Sequence, residues 1–220
     1  MVLAGEVRVD GHMVDKPATK VSEESEIIVK DRPRFVSRGG LKLEGALNAF
    51  GINVSGMTCL DIGSSTGGFT DCLLKSGAAK VYGFDVGTNQ LVWKLRQDPR
   101  VVLKERFNAR HLTFADVGEH VDIVVIDVSF ISLRLVLAPA IPIMKSGAHA
   151  VCLIKPQFEL GRDRVGKGGI VREAEFHDEA VAKIRQFVDE TEGIEWQGLI
   201  DSPIKGTDGN TEFLTWLRKP

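Results

Sequence analysis

From residue 57 to the end, short apolar runs alternate with amphipathic stretches, and this alternation predicts strands and helices in turn. Strands are expected over 57–63, 81–86, 101–105, 121–128, 148–154, 194–200 and 212–217, and helices over 68–76, 89–97, 133–144 and 173–190. The run over 121–128 is almost continuously apolar, as in a strand covered on both faces. Pro139 and Pro142 are expected to bend or break the helix that holds them. Strand–helix alternation of this kind argues for a doubly wound α/β fold. The last two strands are separated only by a turn, which predicts an antiparallel pair near the C-terminus.

Residues 1–31 read differently. Glu6 to Val9 and His12 to Val14 flank Asp10-Gly11, a hairpin signal. Lys16-Pro17 and residues 26–29 continue as extended chain. The piece is too small to bury a core of its own, and Arg32-Pro33 marks a boundary. Beyond it, Ser37 is expected to cap a short helix whose apolar residues Leu43, Leu47 and Phe50 recur at helical spacing. Lys42 falls off that stripe and is expected to face a cleft. There is no internal repeat and no low-complexity tract.

Composition narrows the class. With 43% hydrophobic and 26% charged residues, the chain reads as an ordinary water-soluble domain. No apolar run approaches the roughly 20 residues needed to cross a bilayer, and the N-terminus lacks a basic leader, so a cytoplasmic protein without stable membrane association is expected. Cys59, Cys72 and Cys152 are widely spaced and read as buried reduced thiols, with no zinc spacing. The net charge of −2 does not suggest a nucleic-acid binder, but its distribution does. Five bases against one acid lie between Lys30 and Lys42, and five against two between Lys155 and Arg172, whereas eight acids face two bases between Glu173 and Trp196. Arg32, Arg34, Arg38, Arg162, Arg164 and Lys167 are the candidate RNA-binding residues; solvated loops are the alternative.

The strongest local signal runs from Leu60 to Thr70. A predicted strand ends in Asp61-Ile62-Gly63 and enters the turn Ser64-Ser65-Thr66-Gly67 before Gly68 and Phe69 open a helix. Glycines let backbone approach a ligand closely, and a helix N-terminus supplies free N–H groups. The spacing is not that of a dinucleotide fingerprint. An acid at the strand end instead suits a cationic ligand, such as the amino group of S-adenosylmethionine (SAM). Asp85 closes the next strand, where a carboxylate can accept hydrogen bonds from both ribose hydroxyls of a nucleoside. Asn108 follows the third strand and reads equally as an adenine contact or a turn residue. Asp61, Gly63, Ser64, Gly67, Gly68, Phe69, Asp85 and Asn108 are therefore the candidate cofactor residues. Asp127 and Lys155 each end an apolar strand, and two charges at strand tips point to one crevice or form a structural ion pair.

Several stretches carry a family resemblance. They are Ser37-Arg38-Gly39-Gly40-Leu41-Lys42-Leu43, Asp61 to Thr70, Ile126 to Leu133, Leu153 to Glu159, and Gly209-Asn210-Thr211-Glu212-Phe213-Leu214. In order and spread over nearly the whole chain, they resemble the TlyA (haemolysin A) family of FtsJ-like ribose 2'-O-methyltransferases. The resemblance implies a Rossmann-like SAM-dependent methyltransferase fold over 32–220. Its sheet is expected to be mostly parallel and seven-stranded, with one antiparallel strand near the C-terminus and helices on both faces. It further implies a catalytic tetrad of Lys42, Asp127, Lys155 and Glu212, no metal, SAM as cofactor, and ribosomal RNA or a ribosomal subunit as partner, cytidine being the nucleotide suggested. Residues 1–31 resemble the second half of an S4 RNA-binding domain, whose opening helices are absent from this sequence.

In the mechanism this implies, Lys155 takes or steers the ribose hydroxyl proton and Lys42 stabilises charge growing on the oxygen, while Asp127 and Glu212 hold the two ammonium groups. Three other readings compete: a methyltransferase acting on a small molecule or protein, a membrane-active cytolysin, and an RNA-binding module without activity. The sequence shows no amphipathic membrane segment with a basic face and aromatic anchors. The oligomeric state, monomer or dimer, is left open.

Overall fold

The described residues divide into two units, Met1–Arg34 and Phe35–Pro220. The computed structural model describes all residues except 1, 3–4 and 30–32. Of the candidate RNA contacts, Arg32 lies outside the described residues. In the first unit, β1 (Val7–Val9) pairs antiparallel with β2 (His12–Val14) on one side and β3 (Ile27–Val29) on the other. Asp10 and Gly11 both take positive φ, 50° and 80°, as the two-residue turn of a tight hairpin requires. Of its apolar side chains Val7 is buried, whereas Met13, Ile27 and Ile28 are exposed.

The second unit is a seven-stranded sheet between two layers of helices. It holds α1 (Gly39–Phe50), β4 (Thr58–Ile62), α2 (Gly68–Lys75), β5 (Lys80–Phe84), α3 (Trp93–Arg96), β6 (Val101–Lys104), α4 (Phe114–Val117), β7 (Val121–Ile126), α5 (Arg134–Ala140), β8 (Met144–Ile154), α6 (Pro156–Glu159), α7 (Ala174–Asp189), β9 (Glu195–Asp201) and β10 (Phe213–Arg218). Strand order is β6-β5-β4-β7-β8-β10-β9. Neighbours from β6 to β8 are parallel, and β10 runs antiparallel to both β8 and β9. The sheet is thus mostly parallel, with one reversed strand near the C-terminus.

The central strand explains the layering. Alternate residues of a strand face opposite ways. Val124 and Ile126 of β7 join α5 and α7 in one core, with Leu137, Ile184 and Val188. Ile123 and Val125 face the other way and meet Leu43 and Leu47 of α1, Leu73 of α2 and Leu95 of α3. The continuous apolar run is the signature of this double burial. Cys59, Cys72 and Cys152 are all buried and unbridged, and burial pushes the Cys59 thiol up to about 12.

Three elements differ from the sequence reading. The helix over 89–97 shrinks to Trp93–Arg96, because Asn89 takes a positive φ of 57° and donates its N–H to Glu105 at 2.7 Å. The helix over 133–144 ends at Ala140 and tightens into a 3-10 turn, Ile141–Ile143, around its two prolines. Ser37 does not cap α1, whose N-cap is Arg38 without a side-chain hydrogen bond. Its hydroxyl lies against α2 instead, where a Cβ on Gly68 would sit 2.3 Å from it.

Helix α1 is also tied to its lead-in by Gly40, where a Cβ would come within 2.3 Å of the buried Phe35 ring. Alanine would gain about 1 kcal/mol of helix propensity there, but overpacking typically costs about 1–3 kcal/mol. Gly40→Ala is therefore expected to be neutral to destabilising by about 2 kcal/mol, read as a lowered urea midpoint. A raised midpoint would contradict this packing.

Candidate functional site

Parallel strands β4 to β8 all end at one edge of the sheet, and two adjoining chambers open there. The turn after β4 forms their shared floor. Gly63 donates its N–H to Phe84 O at 2.8 Å with φ at 87°. A Cβ on Gly63 would stand 2.2 Å from the carbonyl oxygen of Asp127, so only glycine lets the tips of β4 and β7 close together.

The first chamber has a volume of about 460 Å³, and Lys42, Asp127, Lys155 and Glu212 all line it. They arrive from α1, the tip of β7, the tip of β8 and the turn before β10. Lys42 is 8% exposed and its Nζ donates to Glu212 Oε2, itself in a residue 3% exposed. Lys155 Nζ lies 2.6 Å from Asp127 Oδ1 and donates to Ser129 Oγ at 3.0 Å. Asp127 Oδ1 is out of water and accepts no aligned hydrogen bond among the described residues, so the charge contact with Lys155 compensates it. Two lysine–carboxylate pairs therefore face one space.

Of the candidate cofactor residues, Gly63, Ser64, Gly68 and Phe69 line this chamber too. Ser64 is buried, and its hydroxyl finds no partner among the described residues. Asp85 and Asn108 line the second chamber, about 320 Å³, with Phe84, Phe107, Ile131 and Val136. Asp85 accepts N–H bonds from Ser65 and Gly87, both at 2.7 Å, which aim its carboxylate at the chamber mouth. Asn108 accepts the Arg110 N–H at 3.1 Å, the capping role its sequence position allowed.

Asp61 and Gly67 line neither chamber. Asp61 is fully buried beneath the turn and accepts the Thr70 hydroxyl at 2.6 Å, while its other oxygen has no partner among the described residues. Burial pushes its carboxyl up to about 7, with the charges of Asp127 and Asp85 adding to the rise and the Thr70 hydrogen bond opposing it.

The basic residues have separate fates. Arg38 lines the first chamber and donates to Lys205 O at 2.6 Å. Arg162 and Lys167 are exposed on the loop after α6. Arg164 is paired with Glu179 and lies over the Phe176 ring at 5.4 Å, so it holds its loop to α7. Arg34 belongs to the first unit.

Phe130 escaped the sequence reading. It is 91% exposed, lines both chambers, and takes φ 64°, an uncommon conformation for a side chain of its size. Phe158 supports it, with ring centroids 5.1 Å apart. Both rings lie in stretches that carried the family resemblance, but no pattern of spacing marks an aromatic as solvent-facing.

This sheet order and its edge crevice define the class, a methyltransferase fold. A Listeria monocytogenes crystal structure named "putative S-adenosylmethionine dependent methyltransferase" superposes with a TM-score of 0.59 over 84% of this chain and 100% of that one; at 15% identity the likeness concerns the fold alone. The particular family follows from sequence: the FtsJ-like methyltransferase pattern matches residues 35–219, and the chain belongs to that family. It is 48% identical over 220 residues to the 16S/23S rRNA (cytidine-2'-O)-methyltransferase TlyA of Mycobacterium tuberculosis, covering 99% of this chain and 82% of that protein. A solved Lactococcus lactis structure named "putative hemolysin" is 50% identical, with a TM-score of 0.83 over 86% of this chain and 90% of that one. Among the described residues, no helix is long and apolar enough to cross a membrane.

Asp61 yields a test of the buried floor. With its carboxyl raised from 3.8 to about 7, the folded protein holds a proton that the unfolded chain releases earlier. This contribution to stability is full below pH 4 and is lost as pH rises toward 7. Asp61→Asn should flatten the fall in melting midpoint between pH 4 and 7 relative to wild type. Parallel curves for the two proteins would show that Asp61 titrates normally.

Proposed function

We propose that this chain transfers a methyl group from S-adenosylmethionine to the 2'-hydroxyl of a ribose in ribosomal RNA, with cytidine as the target nucleoside. The convergence of Lys42, Asp127, Lys155 and Glu212 on one chamber carries the reading. The TlyA relative, named for cytidine 2'-O-methylation of 16S and 23S rRNA, supports the choice of substrate.

The residues present fit the cofactor. The second chamber offers apolar walls for an adenine ring, and Asp85 retains acceptor capacity for ribose hydroxyls. The glycine turn and the unpartnered Ser64 hydroxyl would hold the polar tail in the first chamber. When bound, the cofactor supplies a methyl group already activated by its sulfonium.

The protein's own task is to place the ribose oxygen as its proton leaves. Lys155 Nζ, held by Asp127 and Ser129, orients the ribose hydroxyl, and the proton that oxygen sheds as it bonds to the methyl carbon passes to solvent at the open chamber. Lys42 Nζ, fixed by Glu212, stabilises charge growing on that oxygen. Phe130 presents an open ring face on which an unstacked base can rest. Arg38, Arg162 and Lys167 contribute positive charge toward phosphates, while Arg164 braces their loop. The N-terminal unit is read as a partial S4-like RNA-binding segment ending near residue 31, and Arg32 and Arg34 as basic contacts of the lead-in to the methyltransferase domain. A ribosomal substrate places the work in the cytoplasm.

The deciding experiment is incubation with labelled SAM and unmodified ribosomal subunits, followed by mapping of ribose methylation. A mapped 2'-O-methyl cytidine is expected in the small-subunit rRNA, with room for a second in the large subunit; label on protein or on a base would refute the reading. Lys155→Ala and Asp127→Ala should each lower transfer at least about 100-fold while SAM still binds. Full activity in Lys155→Ala would remove it as the group that orients the hydroxyl. Phe130→Ala should raise KM for RNA by a larger factor than it weakens SAM binding. Substrate binding should weaken steeply with added salt, and an RNA KM insensitive to salt would argue for a non-nucleic-acid substrate.

A further inference from the structure

One buried carboxylate takes no part in that chemistry. Glu159 ends α6, four residues after Lys155, and is 8% exposed. Its Oε2 accepts the Ser132 hydroxyl at 2.6 Å, and its Oε1 accepts the Leu133 N–H at 2.7 Å. Both donors sit in the loop that leaves β7, and this loop carries Asp127, Ser129 and Phe130. Lys155 is the N-cap at the other end of the same α6 turn, and Phe158 directly precedes Glu159.

We infer that Glu159 is a positioning residue for methyl transfer: it clasps the β7 loop to the α6 turn, setting Asp127 and Ser129 against Lys155 and Phe130 against Phe158. This rests on the proposed reading of the site. Three observations support it. Lys155 is placed by partners on the opposite loop at 2.6 and 3.0 Å, so the two loops must keep a fixed separation. Phe130 holds a positive φ, which surrounding structure has to enforce. Both carboxylate oxygens of Glu159 are satisfied across the gap, one by a side chain and one by the backbone at the start of α5. A group serving only as a helix cap needs just the second of these bonds.

Three variants separate positioning from capping: Glu159→Gln, Glu159→Leu and Ser132→Ala. Glutamine can accept the Leu133 N–H with its carbonyl, and the Ser132 hydroxyl can rotate to accept its amide N–H, so the clasp survives. Single-turnover methyl transfer at saturating SAM and RNA should stay within about 3-fold of wild type in Glu159→Gln and fall about 30-fold or more in Glu159→Leu. SAM dissociation constants should hold within about 3-fold in both. Ser132→Ala keeps the capping bond and breaks the other, and should slow transfer about 5-fold or more, a loss larger than its lowered melting midpoint accounts for at the assay temperature. Hydrogen exchange of amides 127–133 should quicken in Glu159→Leu, a readout that needs no activity. Normal transfer in Glu159→Leu and Ser132→Ala would overturn the inference, as would losses that only track melting midpoint and SAM affinity. A wild-type chain that methylates no RNA would overturn the reading of the site, and this inference with it.

Discussion

An ammonium withdrawn from water persists only beside an anion, and this site contains two such lysines. Lys42 and Lys155 sit at 10% and 11% side-chain exposure, each against one carboxylate from a distant part of the chain. Removing one partner of such a pair leaves an uncompensated charge, an error of about 3–5 kcal/mol. The fold around them is therefore constrained to bring α1 to the turn before β10, and β7 to β8, with little tolerance. The reversed strand β10 serves this geometry. It runs beside β8 with Phe213 opposite Ile154, which sets Glu212 next to the strand tip that delivers Lys155.

Buried polar groups outside the two pairs maintain the same arrangement. Asn210, 1% exposed, accepts the Val171 N–H at 2.9 Å and donates to Gly169 O at 2.8 Å, fastening the turn that bears Glu212 to the basic loop after α6. Gly206 completes that turn: a Cβ there would lie 2.6 Å from Glu212 Oε1. The chemistry-bearing side chains stand on loops, but these loops are cross-linked by hydrogen bonds and close backbone approaches into a frame.

Much of this was legible in the linear chain, for identifiable reasons. The α/β alternation and the buried central strand follow from periodicity, and 121–126 reads as a doubly covered strand because both of its faces are apolar. The glycine turn after β4 was visible because backbone crowding permits few alternatives there. The convergence of the tetrad was visible only through family resemblance, since nothing in the spacing of Lys42 and Glu212 foretells a contact across 170 positions. What stayed hidden depends on three-dimensional surroundings. Asp61, expected as a cofactor contact, lies buried beneath the turn and lines neither chamber, a depth that its position at a strand end does not reveal. Ser37 looked like a cap, yet its hydroxyl is taken up by the α1–α2 approach. Arg164 looked like a phosphate contact until Glu179 and Phe176 claimed it. The exposure of Phe130 has no sequence signature at all.

That aromatic ring has one more implication. Phe130 is a wall common to both chambers, so a molecule in either one presses on the same side chain. A rotation of that ring would widen one compartment at the expense of the other, so the outlines of the two spaces are not independent.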